Sequence, residues 1–173
     1  MRSTRALTAQ LNYDVVYPAA VGGSIVALYF ALIDVLQGQA FHTPSLLGGV
    51  LWLGARATDV VVVRLDVVAA LAVVHVVAFL GLGLVLAHVE RRVGLHDKPV
   101  VMLGLFCFAL LSVGFLGTAS WAPGLVGVMG LGHVVAAHAL AAVGMSAALI
   151  HGHPLMVLTR RRVHASGPLR GPR

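Results

Sequence analysis

The 173-residue chain is 59% hydrophobic and only 10% charged, with a mean hydropathy of +0.95. In soluble domains roughly a quarter of the residues are charged, so this composition excludes that class and indicates a membrane protein. The net charge of +6 comes from bases at the ends of apolar runs, which favours a role in membrane orientation over nucleic-acid binding. A single cysteine, Cys107, rules out an intrachain disulfide and a cysteine metal motif.

Four apolar runs are each long enough to cross a bilayer as a helix, which takes about 20 residues. The predicted spans are residues 18–36, 65–89, 100–118 and 125–150. Pro18 opens the first span, where a missing N–H costs nothing, and this run is too long for a signal peptide. The turn from Ser120 to Gly124 predicts that the last two spans form an antiparallel hairpin. The predicted fold class is therefore all-α, a four-transmembrane-helix bundle.

The positive charges predict the orientation of this bundle. Most of the arginines, together with Lys98, flank the spans on one side, whereas only Arg56 and Arg64 lie on the other. By the positive-inside rule the richer side is cytoplasmic, and both termini lie there. Trp52 and Trp121 then lie near the outer interface, as an aromatic belt would place them. We expect a multi-pass protein whose partners are the lipid bilayer and other membrane-protein subunits, with no nucleic acid.

Two segments outside the spans need their own assignment. The loop from Gln37 to Arg64 contains the apolar stretch Ser45 to Leu53, which is too short to span a bilayer. We predict an interfacial segment here, either a helix lying on the outer leaflet or a re-entrant lid over a cavity. Residues 160–173 are rich in arginine, glycine and proline, which predicts a basic cytoplasmic tail that is disordered or lipid-bound. Residues 1–159 form the membrane domain.

Small residues recur four apart on the predicted fourth span, a spacing that lets the backbones of neighbouring helices approach closely. The pairs are Gly132 with Ala136, Ala137 with Ala141, and Ala148 with Gly152. We therefore expect this helix at the centre of the bundle. Small pairs serve internal packing and contacts with partner proteins equally well, so both uses stay open.

Ionisable side chains inside a membrane are costly, so each is a candidate functional residue. The predicted intramembrane polar cluster is Asp34, His75, His133 and His138. With a rise of about 1.5 Å per residue, the three histidines share a layer and Asp34 lies about two turns above it. A carboxylate beside an imidazole would orient the ring and favour its charged form, so we predict that Asp34 pairs with His75 or His133, directly or through water.

His88 follows His75 by 13 residues, and His151 follows His138 by 13 residues, on two predicted helices that run in the same direction. This resembles the di-haem bundle of the cytochrome b family. The alternative hypothesis is therefore a haem- or metal-binding electron-transfer protein, with haem b held by His75 and His138. The spacing turns a helix face by roughly 220°, however, so both histidines of one helix would not face the interior without a kink. Histidines that hydrogen-bond neighbouring helices are the favoured interpretation.

The element His151-Gly152-His153-Pro154 is interpreted as a helix end rather than a metal site. The sequence has no zinc-protease motif, nucleophile elbow, phosphate-binding loop or dinucleotide fingerprint. We therefore predict no catalytic residues, no metal and no enzymatic activity. Inverted repeats and broken helices are not evident either, which places a small transporter behind the other hypotheses.

One set of motifs extends over most of the chain. It comprises Ile33-Asp34-Val35-Leu36-x-Gly38, Phe41-x-Thr43-Pro44-Ser45-Leu46-Leu47-Gly48, His75-x-x-Ala78-Phe79, Gly144-Met145 and His153-Pro154-Leu155. The set resembles a group of uncharacterised four-helix bacterial integral membrane proteins. That resemblance implies the same architecture in a bacterial inner membrane, and it implies no activity. The leading hypothesis is a non-enzymatic accessory or structural subunit of a larger inner-membrane complex.

Overall fold

The computed structural model describes residues 12–54, 62–93, 100–121 and 129–165, and these residues form five α-helices and no strand. The helices are α1 (Tyr17–Leu36), α2 (His42–Leu53), α3 (Leu65–Val93), α4 (Val100–Trp121) and α5 (Leu131–Ala165). A π-helical turn, Asn12–Val16, leads into α1. The predicted all-α class is confirmed.

Three stretches of helix are long and apolar enough to cross a membrane: Asp14–Leu36, Leu65–Val89 and Leu131–Leu149. α4 carries a shorter apolar stretch, Gly104–Gly117. Large aliphatic side chains such as Leu28 and Val73 are exposed on these helices, whereas glycine, alanine and serine fill many of the buried positions. That distribution is typical of helices surrounded by lipid, whose interfaces are built from small residues. The chain is therefore a multi-pass membrane protein.

The bounds of α1, α3 and α4 follow the predicted spans closely. Pro18 lies in the first turn of α1, where its fixed φ suits the helix, and α1 ends at Leu36 as predicted. α3 begins at Leu65, as predicted, and continues past the apolar run to Val93. α4 continues slightly beyond its predicted span, to Trp121. Hydropathy marks the apolar part of each helix, and the helical backbone runs on into the adjoining residues.

α5 differs from its prediction at both ends. It begins at Leu131, because Gly130 adopts a left-handed conformation (φ +73°) that interrupts the helix. Residues 122–128, which hold the predicted start, lie outside the described part of the chain. At the other end, the predicted helix end at Pro154 is wrong, because the helix passes through that residue to Ala165. A proline inside a helix removes one backbone hydrogen bond and crowds the carbonyl group four residues earlier, and α5 continues past Pro154 despite this cost.

The segment predicted as a basic tail begins as helix. Residues 160–165 continue α5, and residues 166–173 lie outside the described residues. α5 therefore extends roughly 24 Å beyond Leu149, the last residue of its apolar span. The arginines at positions 160–162 are thus carried on a continuation of the same helix.

α1 packs between α3 and α5, while α4 packs against α5, and α2 against α3 and the end of α1. Gly22 of α1 lies beside Met145 of α5, whereas Tyr29, further along α1, bonds His133, which is earlier in α5. These two helices are therefore antiparallel. The contacts of α1 with α3 show the same reversal. α4 and α5 are neighbours, which confirms the predicted contact between the last two spans.

The small residues predicted to line α5 are confirmed in part. Ala137, Ala141 and Ala148 are buried, and Gly144 lies so close to Ile25 of α1 that a side chain would collide with it. Gly132, in contrast, is exposed, and a Cβ there would meet nothing within 4 Å. α5 also shares the central position predicted for it with α1, which contacts three other helices.

Candidate functional site

The best-formed polar site among the described residues joins the end of α1 to the start of α2. Asp34, two residues before the end of α1, is only 1% exposed. Its carboxyl oxygens accept hydrogen bonds from Thr43, Oδ2 from the backbone N–H at 2.8 Å and Oδ1 from the hydroxyl at 2.5 Å. Thr43 is in the first turn of α2, where backbone N–H groups have no partner inside the helix. Asp34 therefore caps α2 from a different helix.

Two more contacts fix α2 against the start of α3. The hydroxyl of Ser45 accepts a hydrogen bond of 3.0 Å from the backbone N–H of Arg64. A Cβ at Gly48 would lie 2.8 Å from the carbonyl oxygen of Val67, so the two backbones are in close contact. Phe41 makes the turn before α2 in a left-handed conformation (φ +64°), which residues other than glycine rarely adopt. α2 is thus tied to both α1 and α3.

The structure gives Asp34 and the histidines partners other than those predicted. Both carboxyl oxygens of Asp34 are engaged by α2. His75 places Nε2 3.0 Å from the carbonyl oxygen of Gly23 in α1, and His133 places Nδ1 3.0 Å from the hydroxyl of Tyr29. The predicted direct pairing is therefore replaced by three separate contacts, because the rotation of each helix decides which neighbour a ring meets.

His75 and His138, the pair in the haem hypothesis, lie at different helix interfaces. His75 is on the side of α3 that faces α1, with its ring centroid 4.7 Å from that of Phe79. His138 is on the side of α5 that faces α4, with its ring centroid 5.9 Å from that of Phe115. A single haem would need both imidazoles to point into one cleft. Each of these two rings instead packs on a phenylalanine of a different interface, His75 on Phe79 and His138 on Phe115.

Buried polar side chains in the described part of the chain all have hydrogen-bond partners. Ser146, which is fully buried, donates to the carbonyl oxygen of Ala142 at 2.6 Å. Across these same residues, no three His, Cys, Asp or Glu side chains are grouped as metal ligands would be. What these groups do chemically is to satisfy one another or the backbone.

A surface ion pair marks the start of α3. The guanidinium of Arg64 donates to the carboxylate of Asp66 from Nη2 at 2.6 Å and from Nε at 3.2 Å. The hydrogen bond, and then the negative charge of Asp66, raise the pKa of Arg64 above its ordinary value. The two side chains are 53% and 65% exposed, so the pair contributes little to stability. Its effect is to place two opposite charges beside α2.

Sequence reasoning missed Thr43 and Tyr29, the partners of Asp34 and His133. A signal for Thr43 was present, because Thr43-Pro44 before an apolar run is typical of a helix start, whose free N–H groups attract a carboxylate. The signal for Tyr29 was weaker: a tyrosine within an apolar run needs a partner for its hydroxyl, but nothing in the sequence says which one.

This chain matches no known protein family, and no curated protein or solved structure matches it at a significant level. The resemblance to four-helix bacterial membrane proteins therefore stays a prediction. Conclusions about function rest on the arrangement of the chain's own side chains.

Proposed function

We propose that the protein is a four-span bundle that serves as a non-enzymatic accessory or structural subunit of a larger complex in the bacterial inner membrane. The observation that carries this proposal is how the buried polar side chains are used. Asp34, Ser45 and Ser146, the buried polar residues of the described helices, all bond groups of the chain itself. Catalysis and transport need polar groups that can meet a substrate. Asp34 and Ser45 join neighbouring helices, and Ser146 bonds a backbone carbonyl of its own helix, a use of polar groups that supports a structural role instead.

The length and packing of α4 support a count of four spans. α4 has 22 residues, none of them charged, and so extends about 33 Å, enough to cross the hydrocarbon core. It packs antiparallel to α5, with Gly104 near Ser146 and Phe115 near His138. Because α4 packs alongside the α5 span over most of its length, it fits in the same layer of lipid.

The alternating helix directions support the proposed orientation. The end of α1 and the start of α3 share the side that carries Arg64, whereas the end of α3 carries Arg92 and the end of α5 carries the arginines at 160–162. The end richer in positive charge is the end expected in the cytoplasm. Both termini are then cytoplasmic, and α2 is external.

Cysteine labelling tests this orientation. In a Cys107→Ala background, Gln39→Cys places a thiol at an exposed position before α2, and Ser166→Cys places one in the basic tail. A membrane-impermeant maleimide should modify the first in spheroplasts and the second only after lysis. Ser45 is unsuitable as a reporter because it is buried. Labelling of Ser166→Cys but not Gln39→Cys in spheroplasts would contradict the proposed orientation and indicate the opposite one.

Three outward glycines offer places where a partner helix fits. A Cβ at Gly81 of α3, Gly117 of α4 or Gly132 of α5 would meet nothing within 4 Å, and all three residues are exposed. Small residues on a lipid-facing surface let another helix approach closely, which is how membrane helices associate. These positions are therefore candidate contact sites for another subunit, as the accessory role requires.

Substituting isoleucine for an outward glycine should detach the protein from its complex. Among Gly81→Ile, Gly117→Ile and Gly132→Ile, we expect at least one to lose its co-purifying subunits in mild detergent. The bundle should stay folded, because no neighbouring side chain is displaced. Val76→Ile, at an exposed position on a different face of α3, is the matched control for Gly81→Ile and should retain the complex.

The same purification distinguishes the proposal from its main alternative. A colourless protein that co-purifies with larger subunits supports the accessory role. A protein that purifies alone would contradict it, as would a bis-histidine haem absorbance band that disappears in His75→Ala or His138→Ala.

A further inference from the structure

α2 lies at the depth where two spans end. Its hydrogen bonds and its backbone contact involve Asp34 of α1, and Arg64 and Val67 beside the start of α3. The apolar spans end at Leu36 and begin at Leu65. Each contact is therefore within two residues of a span end, or about 3 Å along a helix axis. Because spans end where hydrocarbon meets the lipid headgroups, α2 lies at that boundary.

The last turn of α2 extends beyond the helices on which α2 packs. The buried residues of α2 are Ser45, Leu46, Gly48 and Gly49. The large apolar residues that follow are exposed: Leu51, Trp52 and Leu53. Trp52 is seven residues after Ser45 and four after Gly48, so it lies on the face of α2 that packs against the bundle. Trp52 is nevertheless 55% exposed, so the bundle leaves much of it uncovered.

We propose that Phe41 and the last turn of α2, Leu51 to Leu53, form a lipid-binding surface at the boundary between headgroups and acyl chains. Val35 and Leu36, at the end of α1 where the apolar span ends, are exposed as well. Tryptophan favours this boundary because its ring is apolar and its N–H bonds to polar groups. The exposed ion pair at the start of α3 supplies charge at the same level.

The backbone of Phe41 supports the same occupant. A left-handed conformation is costly for a residue with a Cβ, and such residues persist where their surroundings compensate. Phe41 is 53% exposed, so it contributes little to stability if it faces water and considerably more if lipid removes its ring from water. α2 is then a fixed platform that holds aromatic rings at both of its ends in the lipid. This inference rests on the membrane location of the spans and not on the accessory role.

Tryptophan fluorescence tests the proposal in purified protein reconstituted into vesicles of phosphatidylcholine and phosphatidylglycerol. Trp121→Phe leaves Trp52 as the single tryptophan. Its emission should be blue-shifted from that of free tryptophan, and acrylamide should quench it several-fold less. Lipids spin-labelled near the glycerol backbone should quench it more than lipids labelled at the chain end.

A second reporter guards against a local effect of one substitution. Phe41→Trp in a chain with Trp52→Phe and Trp121→Phe should give the same pattern. Emission and acrylamide quenching like those of free tryptophan would overturn the proposal, because the surface would then face water. Blue-shifted emission without lipid quenching would also overturn it, because a second copy of the chain would then cover the surface. The vesicles contain no partner subunit, so neither result bears on the accessory role.

Discussion

Replacing Asp34 with leucine is expected to release α2 from the end of α1 and to raise hydrogen exchange of the α2 amides about 30-fold. Leucine has the same branching at Cγ as aspartate but is larger and accepts no hydrogen bond, so the N–H and hydroxyl of Thr43 lose their acceptor. An unsatisfied buried donor costs about 1–3 kcal/mol, and a cost of about 2 kcal/mol corresponds to this change when α2 opens locally. Hydrogen exchange followed by mass spectrometry in detergent measures the effect.

Graded variants separate the capping bonds from other effects at this end of the bundle. Asp34→Asn keeps one acceptor oxygen in the same shape and should raise exchange less than Asp34→Leu. Thr43→Val removes only the bond from the hydroxyl and should also have a smaller effect. Asp66→Asn alters an exposed pair nearby and is the matched control, with little change expected. Unchanged exchange in Asp34→Leu would show that other contacts hold α2.

The bounds of α1 and the start of α3 could be predicted because bilayer thickness imposes a length that hydropathy detects. The apolar run that begins at Pro18 ends at Leu36, and α1 ends at the same residue. α3 begins at Leu65, directly after Arg64. The apolar run from Leu65 to Val89 contains one charged residue, Asp66. Bilayer thickness acts on a whole segment of about 20 residues, so the sequence of that segment is enough to locate its ends.

The partner of Asp34 could not be predicted, for two physical reasons. The rise per residue gives the depth of a side chain, but its direction depends on how each helix is rotated about its axis. Helices that are apolar all round leave that rotation undetermined. The turn that brings Thr43 to Asp34 also depends on the left-handed backbone of Phe41, which is too rare outside glycine for the sequence to indicate.

Gly130 and Pro154 are both potential helix breakers, but only Gly130 marks a helix boundary, directly before the start of α5. Glycine takes a positive φ without steric cost, which suits the point where the chain enters α5. Proline costs a helix one backbone hydrogen bond and crowds the carbonyl group four residues before it, yet α5 is helical on both sides of Pro154. The sequence prediction was wrong at both positions, because it ran the fourth span through Gly130 and took Pro154 as a helix end.

Gly83→Ala is expected to destabilise the bundle by about 2 kcal/mol, whereas Gly81→Ala should be neutral or slightly stabilising. The two glycines lie on the same helix, two residues apart, and differ in what a Cβ would meet. At Gly83 a Cβ would lie 2.6 Å from the carbonyl oxygen of Val15, a backbone atom that cannot rotate away. At Gly81 it would meet nothing within 4 Å.

Gly144→Ala adds an intermediate case, because a Cβ there would meet Cδ1 of Ile25, the far end of a side chain that can change rotamer. The expected order of stability, measured by reversible unfolding with SDS in mixed micelles, is Gly81→Ala, then Gly144→Ala, then Gly83→Ala. Equal stability of the Gly81 and Gly83 variants would mean that α3 does not pack closely on the start of α1. Because α3 packs against α1 and against the π-helical turn that leads into it, a backbone collision at Gly83 should also weaken the contact of His75 with Gly23.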